Sequence, residues 1–159
     1  MAGTARSGGL LAGLALLVSI GGLAATWHVN PGDDIQAVID TAAAGDTIVV
    51  AAGTYNLTGT INVTKTLTIL GAQANVDPRP SVGGRTGPET LLTSTTTVFD
   101  IQAHDVIING FLIETNINNQ NTNIIHDNNA SFTSQNATVA YNIITNTGTT
   151  MNEAVKVRR

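Results

Sequence analysis

Four charged side chains share one short segment of the chain: Asp77, Arg79, Arg85 and Glu89. Guanidinium and carboxylate groups gathered on a loop can grip a polyhydroxylated or acidic ligand through paired, charge-assisted hydrogen bonds. They can equally pair with one another in water, which is the default for solvated charges. General acid and base work asks for two groups converging on one face. Asp100, Asp105, Glu114 and Asp127 are the acids of the middle chain. Asp100 stands between Phe99 and Ile101, and Glu114 follows Ile113, so strand alternation turns both outward. His104-Asp105 and His126-Asp127 lie 22 positions apart, a spacing at which they could stack as metal ligands. Against this, Ile101 aligns better with Ile125, at an offset of 24. A zinc ion would also need a third ligand, and His28 lies far upstream. No Ser-His-Asp spacing, nucleophile elbow or phosphate-cradling glycine loop occurs. The sequence therefore assigns no catalytic residue, no metal and no cofactor. Asp77, Arg79, Arg85 and Glu89 stand as the candidate ligand-binding set.

The composition indicates what kind of scaffold must carry these groups. Hydrophobic residues make up 42% of the 159, enough to build a core, while only 11% are charged, well below the usual quarter. Thr, Asn, Gly, Ile and Val fill the difference, and such residues favour strands and tight turns. With no cysteine, stability must come from packing and backbone hydrogen bonds. Residues 1–25 read as a secretory signal peptide. Arg6 supplies the positive start, residues 10–20 form an apolar run broken only by small residues, and the small residues that follow suit cleavage near Ala24 or Ala25. An uncleaved membrane anchor is the rival reading. The run is short for about 30 Å of hydrocarbon and lacks a basic flank downstream. Setting Arg6 aside, six basic side chains face eleven acidic ones, which leaves no electrostatic footprint for nucleic acid. The expected location is outside the cell or in its envelope, with membrane contact only through the leader if it stays uncleaved.

Residues 26–159 are expected to form one domain. Ile35, Val38, Ile39 and Ala42 recur at helical spacing behind Asp33 and Asp34, which predicts a helix over 33–43 with the two carboxylates at the positive end of its dipole. Beyond Gly45-Asp46 the pattern changes to short alternating strands around Ile48–Val50, Ile61 and Val63, Leu67 and Ile69, Val98–Ile101, Val106–Ile108 and Phe111–Ile113. Weaker ones follow at Ile124-Ile125, Ala137–Val139, Asn142–Ile144 and Ala154–Val157. Asn109-Gly110 is a hairpin dipeptide, but its flanking strands are too short for a stable hairpin. Segments this short suit strands that pair with copies of themselves before and after. Residues 105–113 lie over 136–144 at an offset of 31, setting Ile108 on Val139, Phe111 on Asn142 and Ile113 on Ile144. The extra length points to an insertion or turn in the Asn-rich segment 116–129, where low-complexity disorder is the competing reading. Four N-glycosylation sequons begin at Asn56, Asn62, Asn129 and Asn136, as an Asn/Thr-rich chain readily produces by chance.

Several of these motifs occur in a familiar order. Ile35-Gln36-Ala37-Val38-Ile39-Asp40, Ala44-Gly45-Asp46-Thr47-Ile48-Val49-Val50, Gly53-Thr54-Tyr55 and Lys65-Thr66-Leu67-Thr68-Ile69-Leu70-Gly71 together resemble the opening of pectin-lyase-like right-handed parallel β-helix proteins. The nearest likeness is to the β-helix repeat proteins of bacterial and archaeal envelopes, which include adhesin-like surface proteins. It covers about residues 33–116 well and the rest weakly. The resemblance implies an all-β fold, a right-handed parallel β-helix (a solenoid) with an N-terminal capping α-helix, and a partner that is a polysaccharide or another envelope component. It implies little about chemistry, because the scaffold carries lyases, hydrolases and non-enzymatic binders alike. The lyases use a basic residue and a cation, and basic residues are few here. A non-catalytic glycan-binding, adhesive or structural role is therefore expected, with a polysaccharide lyase or glycoside hydrolase as the alternative. The late strand Ala154–Val157 has no cap after it. This reads as a fragment, or as a solenoid continued through a partner chain.

Overall fold

The computed structural model describes residues 23–127, 136–151 and 153–156. Most of the predicted leader, part of the Asn-rich segment with the sequon at Asn129, and Val157 at the end of the last expected strand lie outside the described residues. Strand β1 (Thr26–Val29) and helix α1 (Ile35–Thr41) open the chain. There follow β2 (Thr47–Val50), β3 (Gly53–Asn56), β4 (Ile61–Val63), β5 (Thr68–Leu70), β6 (Thr90–Ser94) and β7 (Phe99–Ile101). Then come β8 (Ile107–Asn109), β9 (Phe111–Thr115), β10 (Asn118–Asn119), β11 (Ile125–Asp127), β12 (Thr138–Ala140), β13 (Ile143–Asn146), β14 (Thr150–Met151) and β15 (Val155–Lys156). The chain is mostly β, as expected, and among the described residues every strand pairing is parallel.

From β2 onward, three sheets receive strands in rotation. The first is ordered β1-β2-β5-β8-β12, the second β3-β6-β9-β13 and the third β4-β7-β11-β15, with β10 and β14 as a small extra pair. Asn109-Gly110 is therefore no hairpin turn: β8 and β9 belong to different sheets. Residues two apart face the same way, so register stacks like on like. Ile48, Ile69, Ile108 and Val139 align in the first sheet, and Tyr55, Leu92, Ile113 and Ile144 in the second. The offset of 31 read from residues 105–113 is the register of β8 on β12 and β9 on β13. The inward aliphatics of all three sheets meet in one buried cluster.

Helix α1 forms where expected. Asp34 caps it, its Oδ1 accepting from the amides of Gln36 (2.9 Å) and Ala37 (3.4 Å), which satisfies two of the donors a helix start leaves open. Ile35, Ile39 and Ala42 are buried, and the helix packs on β1, β2 and β4. Two polar side chains fasten it. The Gln36 amide accepts from Asn62 N–H at 2.7 Å and donates to Asn62 C=O at 3.2 Å, taking the place of a neighbouring strand at the edge of β4. Lys65 donates to the carbonyls of Asp40 (2.9 Å) and Ala42 (2.6 Å), capping the negative end of the helix.

Asp46, in the turn before β2, is a knot of the fold. One oxygen accepts from Ala25 N–H at 2.7 Å, the other from the Trp27 indole at 2.8 Å and Ala43 N–H at 2.9 Å. These bonds, the indole's foremost, hold its carboxyl below the usual carboxylate range. A carboxyl more acidic in the folded than in the unfolded chain stabilises the fold above the unfolded value of about 3.9, and that contribution fades as pH falls through the lower folded value. Asp46→Asn is thus expected to lose stability at pH 7 and to flatten the acid limb of the profile below about pH 4. Urea midpoints from pH 2.5 to 7, followed by the fluorescence of Trp27, the chain's one tryptophan, check this. An unchanged acid limb would remove Asp46 from the account.

The expectation for the Asn-rich segment needs correcting in part. Residues 116–127 are not merely an insertion: they carry β10 and β11, and Ile117, Asn123, Ile124 and Ile125 are buried. Strands β1, β3, β6, β10 and β14 were not expected from the sequence. Strand β6 hides because its inward positions alternate Thr90, Leu92 and Ser94. Buried Thr90 Oγ1 lies 3.0 Å from Val50 O and 3.1 Å from Ala51 O, and accepts from Ala72 N–H at 2.8 Å, so a hydroxyl serves where the pattern looks for an aliphatic.

Candidate functional site

The four loop residues meet in two pairs. Residues 71–89 run out between β5 and β6, and their first part is held to β8: Asn75 N–H donates to Asn109 Oδ1 (3.0 Å) and Asn109 Nδ2 to Asn75 Oδ1 (2.9 Å). Arg79 pairs with Asp77 at 2.5 Å, with the Arg79 side chain 70% exposed. That contact, chiefly its hydrogen bonds, brings the Asp77 carboxyl down to about 2, although an exposed pair contributes little to stability. Arg85 differs. Its side chain is 2% exposed, and Nη1 donates to Glu89 Oε2 at 2.9 Å and to Phe111 C=O at 3.3 Å. Arg85 thus bolts the loop to β9 from inside. Arg85→Ala is expected to cost about 2–3 kcal/mol, through the lost bonds and the partner carboxylate left behind, as chemical denaturation would register. Full stability together with loss of ligand binding would instead make Arg85 a binding residue.

The third sheet shows a second arrangement. Asn62, Asp100 and His126 sit side by side on β4, β7 and β11, with Asp100 between inward Phe99 and Ile101. His126 Nδ1 lies 3.6 Å from Asp100 Oδ1, and Gln102 Nε2 donates to Asp100 Oδ2 at 2.9 Å. The expected alignment of Ile101 with Ile125 is corrected here: Ile125 pairs with Phe99 and Asp127 with Ile101. A shift of two residues keeps every side chain on its own face, so hydrophobic alternation cannot choose between the two registers. The observed one creates the His126–Asp100 contact. His104-Asp105 does not stack on His126-Asp127, and among the described residues no group of three or more His, Asp or Glu is placed to hold a metal ion.

The third feature is a cleft of about 570 Å³ between the start of α1 and the β3–β4 connection. Asp33, Asp34, Thr54, Asn56, Thr58 and Thr60 are among its lining residues. Several are already oriented. Asp33 Oδ2 accepts from Asn30 N–H at 2.8 Å, Asn56 Oδ1 from Thr93 Oγ1 at 2.7 Å, and Thr60 Oγ1 donates to Thr97 C=O at 3.0 Å. Tyr55 beneath is buried, its hydroxyl 3.1 Å from Ala51 O, and burial raises its pKa. The sequence reading took Asp33 and Asp34 only as helix-start carboxylates and did not foresee this cleft. Its two walls are some twenty residues apart in the chain and meet only because α1 folds back over β4.

Among the described residues no helix is long and apolar enough to cross a membrane. No protein-family model, curated protein or solved structure matches the chain.

Proposed function

We propose that this chain is an exported or cell-surface right-handed parallel β-helix that binds glycans without transforming them. Rotation of the chain from β2 onward through three parallel sheets supports the β-helix, and the strong preference of parallel crossovers for one hand supports the right-handed sense. The resemblance of residues 33–116 to pectin-lyase-like envelope proteins supports export and a polysaccharide partner. The observation that carries the binding role is the cleft beside α1. Its volume suits a small-molecule site. Carboxylate, amide and hydroxyl groups around its rim match the donors and acceptors of sugar hydroxyls, several of them held in place by bonds to the scaffold. The loop charges Asp77, Arg79, Arg85 and Glu89 play a lesser part, since they neutralise one another.

Binding of neutral, uronic and amino-sugar oligosaccharides to the exported protein, measured on a glycan array and by calorimetry, tests this reading. Thr58→Arg is expected to block the cleft and abolish binding with no change in melting temperature, because Thr58 is exposed. Binding that survives Thr58→Arg would refute the cleft as the site. A second reading, a carbohydrate-active lyase or hydrolase, is favoured by one observation, the His126–Asp100 contact. An imidazole beside a carboxylate is a common acid–base pair. Depolymerisation of polygalacturonate or alginate that is lost in His126→Gln would establish it over the binding role.

A further inference from the structure

We propose that the chain is cut between Ala24 and Ala25, and that the amine released at Ala25 seats on the Asp46 carboxylate as an ion pair. This rests on the export reading above and goes beyond it by choosing the bond and giving the new terminus a structural task. On the sequence side, a cut after Ala24 places Gly22 and Ala24 at the two positions where signal peptidase needs small residues, whereas a cut one residue later places Leu23 at the first of them.

The structure makes the same choice independently. Ala25 is tied in at both ends: its N–H donates to Asp46 Oδ1 at 2.7 Å, and its carbonyl accepts from Thr47 N–H at 2.9 Å. Ala24 and Ala25 are both exposed and Leu23 is 98% exposed, but it is Ala25 whose main chain is bonded into the fold. The bond before Ala25 therefore lies at the margin of the folded strand, where a protease can reach it without removing an interaction. Cutting after Ala25 would delete both of its bonds.

The peptidase adds water across the bond. The C–N bond breaks, hydroxyl stays on the Ala24 carbonyl carbon and hydrogen goes to the Ala25 nitrogen. That amine then takes up a further proton, since free α-amines titrate at about 7.7–8. An amide dipole facing Asp46 is thereby replaced by a charge, and the hydrogen bond becomes a charge-assisted one. Asp46 is 4% exposed and also holds the Trp27 indole and Ala43 N–H, so its second oxygen is already engaged and its first is aimed at the terminus. Lys65 is the other charge acting on Asp46.

The test uses the full chain expressed in a bacterium that exports through signal peptidase, with labelled alanine. Intact mass and N-terminal sequencing of the exported protein are expected to start at Ala25. A start at Thr26 or elsewhere, or an exported chain that keeps its leader, overturns this proposal and leaves export standing, whereas retention in the cytoplasm overturns both. In protein that starts at Ala25, an NMR titration of the Ala25 methyl carbon is expected to report an α-amine pKa raised by about one unit above the ordinary 7.7–8, and Asp46→Asn to return it. An unshifted amine overturns the ion pair without needing any variant to fold.

Discussion

Phe111→Ala lowers the folding free energy by about 3–5 kcal/mol, the expected range for a large ring removed from a packed interior. Phe99 and Phe111 are both fully buried. They come from β7 in the third sheet and β9 in the second, and their rings meet edge to face with centroids 5.8 Å apart and planes at 60°. Such geometry adds about 0.5–1.5 kcal/mol beyond burial alone. Strands this short hold little by themselves, and the pair joins two sheets within the buried cluster. Because Phe111→Ala can prevent folding outright, Phe111→Leu and Phe99→Leu provide the milder comparison. Their double-mutant cycle in urea should show a coupling of about 0.5–1.5 kcal/mol. Additive losses would mean that the rings do not act as a pair.

Gly110→Ala follows, at about 3 kcal/mol or more. Gly110 has φ of +86°, and a Cβ built there would lie 2.3 Å from Ala74 N and 2.4 Å from Ala74 Cα. Two penalties combine: a left-handed backbone that alanine resists, and a collision with main chain that cannot swing aside. Gly83 separates them. It has φ of +101°, but a Cβ there meets nothing within 4 Å, so Gly83→Ala should cost only about 1–2 kcal/mol. Thermal denaturation of the two variants settles the matter, since equal losses would show that the approach of residues 71–76 to the β8–β9 bend is unimportant. This approach also positions the loop that carries Asp77, Arg79, Arg85 and Glu89.

Asn side chains show where local reading sufficed and where it stopped. Asn142, laid over Phe111 by the offset of 31, does stand beside it. Its Oδ1 accepts from Phe111 N–H at 2.9 Å and its Nδ2 donates to Ile108 C=O at 3.0 Å, so the amide braces a bend of the preceding strands. Asn146 does the same for Ile117, accepting from its N–H at 2.8 Å and donating to its C=O at 3.2 Å. An amide laid over an aromatic position was legible in the sequence; that it would bond to the main chain was not. In the sequence Lys65 is only the first residue of the Lys65–Gly71 motif, and the fold alone shows it closing the end of α1.

By itself the sequence determined the helix, expected over 33–43 and formed at Ile35–Thr41, most of the short alternating strands and the register of residues 105–113 on 136–144. The helix and the strands are periodic hydrophobic signals, whereas that register came from the likeness of the two segments and not from alternation. Tertiary structure alone decided which polar groups meet: Gln36 with the edge of β4, Asp46 with Ala25 and Trp27, Arg85 with Glu89 and the Phe111 carbonyl, His126 with Asp100. Parallel pairing joins residues twenty or more apart, and a slip of two keeps every side chain on its face. Alternation therefore says that a polar residue points outward, and only the packed register says beside what.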